Sequence, residues 1–351
     1  MSTETGRGVS DRVSEGVAGV AGAAAAVLAG LDRVLLGQSE VHRLVLTCVL
    51  ARGHVLLEGL PGLGKTVMIR TLGDLLGLDF RRVQFTPDLM PGDVLGSQIL
   101  QQRADGERVM EFHPGPVFTN VLLADEINRA SPKTQSALLE SMQEGRATVY
   151  GVTRELPSPF FVLASQNPIE LAGTYPLPEA QLDRFLMKIE VGMPGLDVLE
   201  EIVATRHRGE GPAVEPVTDA AGLAALFAAV DGVELPRPVA RYAARLVSAT
   251  HAGSGEAPEA VRRFVKHGAS PRAVIGLGEA ARAYALLAGR ASVGFEDVAA
   301  LAPSVVSHRI GLTYEAGLDK MTPRGVVDAL VASLPKVPDA LPAGVGVEVG
   351  A

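Results

Sequence analysis

Two short stretches carry residues whose types and spacing suit chemistry. Gly59-Leu60-Pro61-Gly62-Leu63-Gly64-Lys65-Thr66 satisfies G-x-x-x-x-G-K-[ST] at every fixed position, and Asp125-Glu126 supplies two adjacent carboxylates. Glycines in such a loop let backbone N–H groups turn inward around phosphate oxygens, where side chains would obstruct. Lys65 can then reach β- and γ-phosphates, and the Thr66 hydroxyl can hold Mg²⁺. Asp125 would hold the Mg²⁺ shell, mostly through water, and Glu126 would orient and polarise an attacking water. A dinucleotide fingerprint G-x-G-x-x-G starting at Gly62 fails, because Val67 stands where the third glycine belongs.

The elements that must position these groups are legible around them. His54-Val55-Leu56-Leu57-Glu58 is a short β-rich apolar run before the glycine loop, and Val67 to Leu76 reads as a helix stopped by Gly77. That helix would aim its positive end at the phosphates. Asp79 to Phe85, Asn120 to Glu126, Phe160 to Asn167 and Leu186 to Val191 read as further strands. A helix opens at Ser131-Pro132 and runs to about Glu144, and a short one covers Pro178 to Phe185. Strands alternating with helices predict a parallel α/β sheet, whose carboxyl ends collect the ligand groups. Two hairpins interrupt it. Ser97 to Gln102 and Arg108 to Phe112 flank an Asp105-Gly106 turn, and Arg146 to Leu156 is centred on Gly151. Upstream, Val13 to Leu31 shows a helical apolar face, and a second helix covers Ser39 to Arg52 with Ser39 as its N-cap.

Gly192-Met193-Pro194-Gly195 reads as a linker, beyond which the β signal vanishes and apolar runs at helical spacing dominate. These runs are Leu199 to His207, Ala220 to Val230, Pro238 to Thr250, Arg272 to Leu287 and Glu296 to Val306. The expected division is an N-terminal tail and helix (1–30), an α/β core (31–194), an all-α domain (195–334) and a disordered C-terminal tail (335–351).

Other polar residues leave alternatives open. Asn167 ends a strand and could fix an attacking water or a phosphate oxygen, or could simply form a turn before Pro168. Phosphoryl transfer needs cationic clamps. From the residues alone, however, Arg184 and Arg272 read more readily as surface helix arginines, Arg184 with Asp183 as partner. The seven histidines show no H-E-x-x-H spacing, and no G-x-S-x-G nucleophile elbow occurs.

Composition narrows the class. The 351 residues are 47% hydrophobic and 21% charged, as in a soluble globular protein of about two domains. A net charge of −8 argues against a chain built to coat nucleic acid. One cysteine, Cys48, excludes an intrachain disulfide framework and suits a reducing compartment. Val17 to Leu31, the most apolar stretch, is too short to span a bilayer, and no basic n-region opens the chain. A cytoplasmic location is the expectation.

Five blocks together resemble a known family. They are Gly53 to Glu58 running into the glycine loop, Ala124-Asp125-Glu126-Ile127-Asn128-Arg129-Ala130, Ser165-Gln166-Asn167-Pro168, Gly173 to Phe185, and Gly268-Ala269-Ser270-Pro271-Arg272-Ala273. In this order they are similar to the MoxR-type AAA+ ATPases, over about Leu31 to Ile310. The resemblance implies a magnesium-dependent ATPase with an α/β P-loop core, two hairpin insertions and a helical lid, working as a homo-oligomeric ring, often of six subunits. It implies that Gly59, Leu60, Pro61, Gly62, Leu63, Gly64, Lys65 and Thr66 form Walker A, and that Asp125 and Glu126 form Walker B. It further implies that Asn167 is sensor 1, that Arg184 is a finger reaching a neighbour's ATP, that Arg272 is sensor 2 on the lid, and that Gly37-Gln38 contacts adenine. Chaperone-like remodelling, complex assembly or metal insertion on a protein client is the implied work, with a von Willebrand factor A domain protein as the usual partner. Ser165 departs from the family, which more often has threonine there, and residues 1–30 and Ala252 to Val265 do not align.

The competing expectation is a nucleic-acid motor, since the minichromosome-maintenance helicases share the two hairpins. Such a pore needs cations and stacking groups. The first hairpin offers a mixed set, Arg103, Glu107, Arg108 and Glu111; the second offers Arg146, Tyr150, Arg154 and Glu155. A nucleotide-gated scaffold that scarcely turns over is a third class, against which Glu126 argues.

Overall fold

The computed structural model describes residues 19, 21–102, 107–168, 173–206 and 211–336. The expected N-terminal tail, the Asp105-Gly106 turn with Arg103, His207, and residues 337–351 of the expected C-terminal tail lie outside them. The chain divides into two compact units, one formed by the residues up to Val233 with Arg282–Ala291, the other by Glu234–Ala281 and the residues from Ser292 onward.

The first unit opens with helical backbone over 21–34 (α1), whose inward face is Ala24, Val27 and Leu31, followed by α2, Ser39–Leu50. Ser39 is the first helical residue and not the N-cap. Gln38 takes the cap position, and its side chain is committed elsewhere, its Nε2 donating to the Leu63 carbonyl at 3.2 Å.

Five strands build the central sheet: β1 (Val55–Glu58), β2 (Phe80–Gln84), β5 (Val121–Asp125), β8 (Phe161–Gln166) and β9 (Met187–Glu190). Their order is β2-β5-β8-β1-β9 and every pairing is parallel. β5 and β8 are buried almost throughout, which explains their unbroken apolar sequences. Register places Leu57 beside Ser165, and Gln84 beside Asp125. The loop after β1, the end of β5 and the end of β8 therefore open on the same edge of the sheet. Helices α3 (Lys65–Leu75) and α5 (Pro132–Glu144) follow β1 and β5. Ser131 caps α5 as expected, accepting from the Thr134 N–H. Leu122, Val162, Leu138, Leu139 and Phe185 are among the fully buried residues of the core.

A short helix α4 (Pro91–Leu95) leads into the first hairpin, β3 (Gly96–Gln102) with β4 (Arg108–Pro114), paired antiparallel from Gly96↔Pro114 to Gln102↔Arg108. The second is β6 (Arg146–Val149) with β7 (Val152–Glu155). Its turn, Tyr150-Gly151, has positive φ at both residues (52° and 77°), the pattern of a type I′ turn. The Arg154 guanidinium of the second hairpin sits 3.7 Å from the ring centroid of Phe112 in the first.

After α6 (Glu179–Leu182) and β9 come α7 (Leu196–Thr205) and α8 (Ala220–Asp231). The sequence suggests a boundary at Pro194, yet both helices belong to the first unit. The reason is packing: Phe227 lies against Phe161 of β8, Asp231 pairs with Arg52 at 2.7 Å, and the Val217 N–H donates to the Leu75 carbonyl.

The second unit is mainly helical: α9 (Arg237–Ser248), α10 (Glu259–Phe264), the first part of α11 (Pro271–Leu287), α12 (Phe295–Val306), α13 (Tyr314–Leu318) and α14 (Pro323–Ser333). Tyr242 and Phe295 meet edge-on at 5.7 Å, over a core that includes Leu246, Leu301 and Leu330. The expectation that β structure ends at the linker needs correction. β10 (Val265–His267) and β11 (Gly311–Leu312) pair antiparallel, too short to leave a periodic signal.

His54 ties β8 and α5 to the start of β1. Its Nδ1 accepts the Val162 N–H at 3.0 Å and its Nε2 donates to the Met142 carbonyl at 3.0 Å. Those two bonds fit only the neutral Nε2–H tautomer. Desolvation by burial drives its pKa down to about 4, the Met142 bond pulling weakly the other way. Above about pH 6.5 the folded and unfolded chains both hold it neutral. As pH falls from about 6.5 towards 4 the unfolded chain takes up a proton that the folded one refuses, so stability falls through that window, by up to roughly 3 kcal/mol. Urea titrations of wild type and His54→Gln between pH 7.5 and 4 should converge as pH falls. Parallel curves would mean that His54 titrates normally in the folded chain.

Candidate nucleotide site

The glycine loop leaves β1 at Glu58 and ends as Gly64, the N-cap of α3. Gly62 and Gly64 have φ of +82° and +79°, a backbone that side-chain-bearing residues rarely adopt. At Gly59 a Cβ would stand 2.6 Å from the Val191 carbonyl oxygen, so the loop can leave the sheet this closely only as glycine. Lys65 is the first helical residue and its Nζ donates to the carbonyls of Gly59 at 2.5 Å and Leu60 at 3.3 Å. Burial pulls the Lys65 pKa below the ordinary lysine value, while Asp125 and Glu126 pull it back up. The ammonium therefore feels both carboxylates.

Asp125 ends β5, and Glu126 follows in the left-handed region (φ 54°, ψ 49°). This sharp bend turns both carboxylates towards the loop. Ser165, at the end of β8, holds the bend: its Oγ donates to Asp125 Oδ1 at 2.5 Å and accepts the Glu126 N–H at 2.9 Å. Two β2 side chains complete the arrangement. Arg82 donates from Nε and Nη2 to Asp125 Oδ2, at 3.1 and 2.7 Å, and from Nη2 to Gln84 Oε1 at 2.8 Å. Gln84 Nε2 in turn donates to Glu126 Oε2 at 2.7 Å, and Arg129 reaches the same oxygen at 3.0 Å. Loop, carboxylates, Arg82, Gln84, Ser165 and Asn167 all line one cavity of about 400 Å³. Of the expected site residues this brings together Pro61 to Thr66, Asp125, Glu126 and Asn167.

On the other side of the loop a second cavity, of about 470 Å³, is lined by apolar side chains including Leu35, Leu36, Met193, Leu199 and Ile202, and by Gln38. The Gln38 Oε1 is buried and accepts no hydrogen bond among the described residues. Gly37 presses its backbone against α7: its φ is +76°, and a Cβ there would stand 2.6 Å from Val198 Cγ1.

These residues fit a nucleoside triphosphate with its metal. Positive-φ glycines and a helix N-terminus suit phosphates, the apolar cavity with an unsatisfied acceptor suits a base bearing an amino group, and the Thr66 hydroxyl with the Asp125 carboxylate offers the hard oxygen donors that Mg²⁺ prefers.

Two expected residues lie elsewhere. Arg184 follows α6, is half-buried, and its Nη1 donates to the Leu139 carbonyl of α5 at 2.7 Å; it does not line the phosphate cavity. Arg272 is the second residue of α11, exposed, in the second unit. Arg82 and Gln84 escape a reading of the sequence because their importance depends on the pairing of β2 with β5. Their signal is the i, i+2 spacing of polar side chains on a strand otherwise read only by its apolar residues.

This arrangement defines a P-loop protein of the AAA class. The profile of the ATPase family associated with various cellular activities (AAA) matches residues 54–187, and that of the AAA lid domain matches residues 258–330. Chaperone MoxR1 of Mycobacterium tuberculosis is 42% identical over 309 residues, 88% of this chain and 81% of that protein. The uncharacterised protein YeaC of Bacillus subtilis is also 42% identical, over 88% of this chain and 92% of its own. The crystal structure of a candidate ATPase from Cytophaga hutchinsonii superposes with a TM-score of 0.84 at 36% identity, covering 93% of this chain and 98% of that one. The chain belongs to the MoxR family of AAA+ ATPases.

Proposed function

We propose that the chain binds ATP with Mg²⁺ across the two cavities, hydrolyses it, and uses the cycle for chaperone-like remodelling of a protein client. The carrying observation is that the Lys65-Thr66 loop and the Asp125-Glu126 pair face one another across a single cavity. In this reading the loop amides and Lys65 bind the phosphates, Thr66 and Asp125 hold the metal, Glu126 positions water and Asn167 fixes it or a phosphate oxygen. A bound Mg²⁺ supplies charge neutralisation between phosphate oxygens. Adenine would occupy the apolar cavity beside Gly37-Gln38, with Gln38 Oε1 accepting from its amino group. We assign Arg184 to the ATP of a neighbouring subunit, which requires a homo-oligomeric ring, and Arg272 to the role of sensor 2 on the lid.

Chaperone MoxR1 supports the remodelling role by its name. A cytoplasmic location, a hexameric ring and a von Willebrand factor A domain partner belong to the same proposal; among the described residues no helix is long and apolar enough to cross a membrane. A protein client is favoured over nucleic acid by the hairpins themselves. Their exposed side chains include Ile99, Leu100, Met110 and Val152, while Arg146 is paired with Glu144 and Arg154 lies on Phe112.

Lys65→Ala tests the reading at its base. Among the described residues the side chain bonds only the Gly59 and Leu60 carbonyls, so the variant should fold and lose nucleotide binding. Full affinity for a fluorescent ATP analogue in a folded Lys65→Ala protein would sink the assignment.

A further inference from the structure

The geometry around Asp125 points to a role for Arg82 that is separate from binding phosphate. We propose that Arg82 is a positioning residue that stands in for the divalent cation at Asp125, keeping that carboxylate neutralised and free of metal until metal arrives together with nucleotide. The inference rests on the reading of Asp125 as the metal's carboxylate.

Both Asp125 oxygens are occupied, Oδ1 by the Ser165 hydroxyl and Oδ2 by two Arg82 nitrogens. The Arg82 charge thus lies where the carboxylate would present its lone pairs to a metal. The same guanidinium is bonded to Gln84, and Gln84 to Glu126, so one chain of hydrogen bonds joins the two carboxylates. Arg82 is an exposed member of a strand in which only Val83 is buried, and its side chain is 46% exposed against 13% for Asp125. Its release therefore disturbs no core packing. Arg82 reaches solvent, which can take over its solvation, so the pair can yield to a divalent ion carried by phosphates.

The protein alone is also a poor cation site. Among the described residues no three His, Cys, Asp or Glu side chains gather as a metal cluster. A metal must therefore bring its remaining oxygen ligands with it, and phosphates supply them. Arg82 sharpens this dependence: a lone cation meets a carboxylate already paired and a positive charge beside it, whereas metal with nucleotide arrives with negative charge that draws Arg82 aside. Metal and nucleotide then load as one unit.

The test uses the full chain without nucleotide. Mn²⁺ is titrated and the free ion followed by electron paramagnetic resonance. Wild type should bind it weakly, and Arg82→Gln at least roughly tenfold more tightly, because a positive charge next to the carboxylate is gone. Arg82→Lys, which keeps the charge, should stay within about threefold of wild type. Adding Asp125→Asn to Arg82→Gln should abolish the gain. Arg82→Ala takes the place of Arg82→Gln if the latter does not fold. Tight Mn²⁺ binding by wild type, or unchanged or weaker binding by the neutral variant, overturns the proposal. So does a loss of more than about tenfold in ATP affinity in excess chelator for Arg82→Gln, which would make Arg82 a phosphate ligand. Because the metal titration uses no nucleotide, failure of wild type to bind ATP would sink the proposed function separately.

Discussion

An Arg184→Ala protein is expected to bind ATP as wild type does and to hydrolyse it about 10³–10⁵-fold more slowly, the range known for arginine fingers supplied by a partner. Binding should survive because Arg184 lies outside the phosphate cavity of its own chain, held by its bond to the Leu139 carbonyl between α6 and α5. Loss of that bond costs on the order of 1 kcal/mol, which a thermal melt can register and separate from the kinetic loss. The decisive measurement is a mixture. Arg184→Ala and Glu126→Gln subunits should each be nearly inactive alone. The proposed ring would then hold some sites that combine an intact Glu126 with an intact Arg184 from the neighbour, so activity should partly return and should fall on dilution. A mixture that stays inactive while light scattering shows mixed assemblies would mean that Arg184 acts within its own subunit or has no part in turnover.

Glu126→Gln should keep ATP affinity and lose about 10²–10⁴ in hydrolysis, the usual contribution of a positioned base. The substitution keeps the shape of the side chain. A glutamine carbonyl oxygen can still accept from Gln84 and Arg129, and the backbone bend held by Ser165 uses the main-chain N–H, which is unchanged. The negative charge, and with it the ability to take a proton, is removed. Loss of ATP binding together with turnover would show that Glu126 serves the shape of the site and not its chemistry.

How much of this was legible in the sequence follows from where each signal resides. The shape of the loop from Gly59 to Thr66 could be read without a structure because backbone of that shape demands glycine at fixed positions. The placement of Asp125-Glu126 and Asn167 beside the loop was legible because parallel strands end on a common edge, so strand order was not needed. Arg82 and Gln84 were not, since they reach the site only through the β2–β5 pairing, a contact between segments far apart in the chain. The linker at Gly192 to Gly195 misled for a related reason. Glycine and proline mark a change of chain direction, whereas the edge of a unit is set by which faces meet, and α8 buries Leu223, Leu226 and Val230 and sets Phe227 against Phe161 of β8. Ser39 illustrates the same limit at one residue: a good capping side chain is of no use when the neighbour's backbone already holds the cap.

The contact between Arg154 and Phe112 bears on how this protein can change over evolutionary time. A two-stranded ribbon is marginal alone in water, and a cation on an aromatic face contributes about 0.5–2 kcal/mol, enough to make each hairpin part of the other's support. Residues at this shared point are tied, so an alteration in one ribbon is inherited as a problem in the other. The exposed Ile99, Leu100 and Met110 of the first ribbon and Tyr150 at the turn of the second carry no such debt. Substitutions at these exposed positions are thus expected to leave the support between the ribbons intact, whereas changes at Arg154 or Phe112 loosen both.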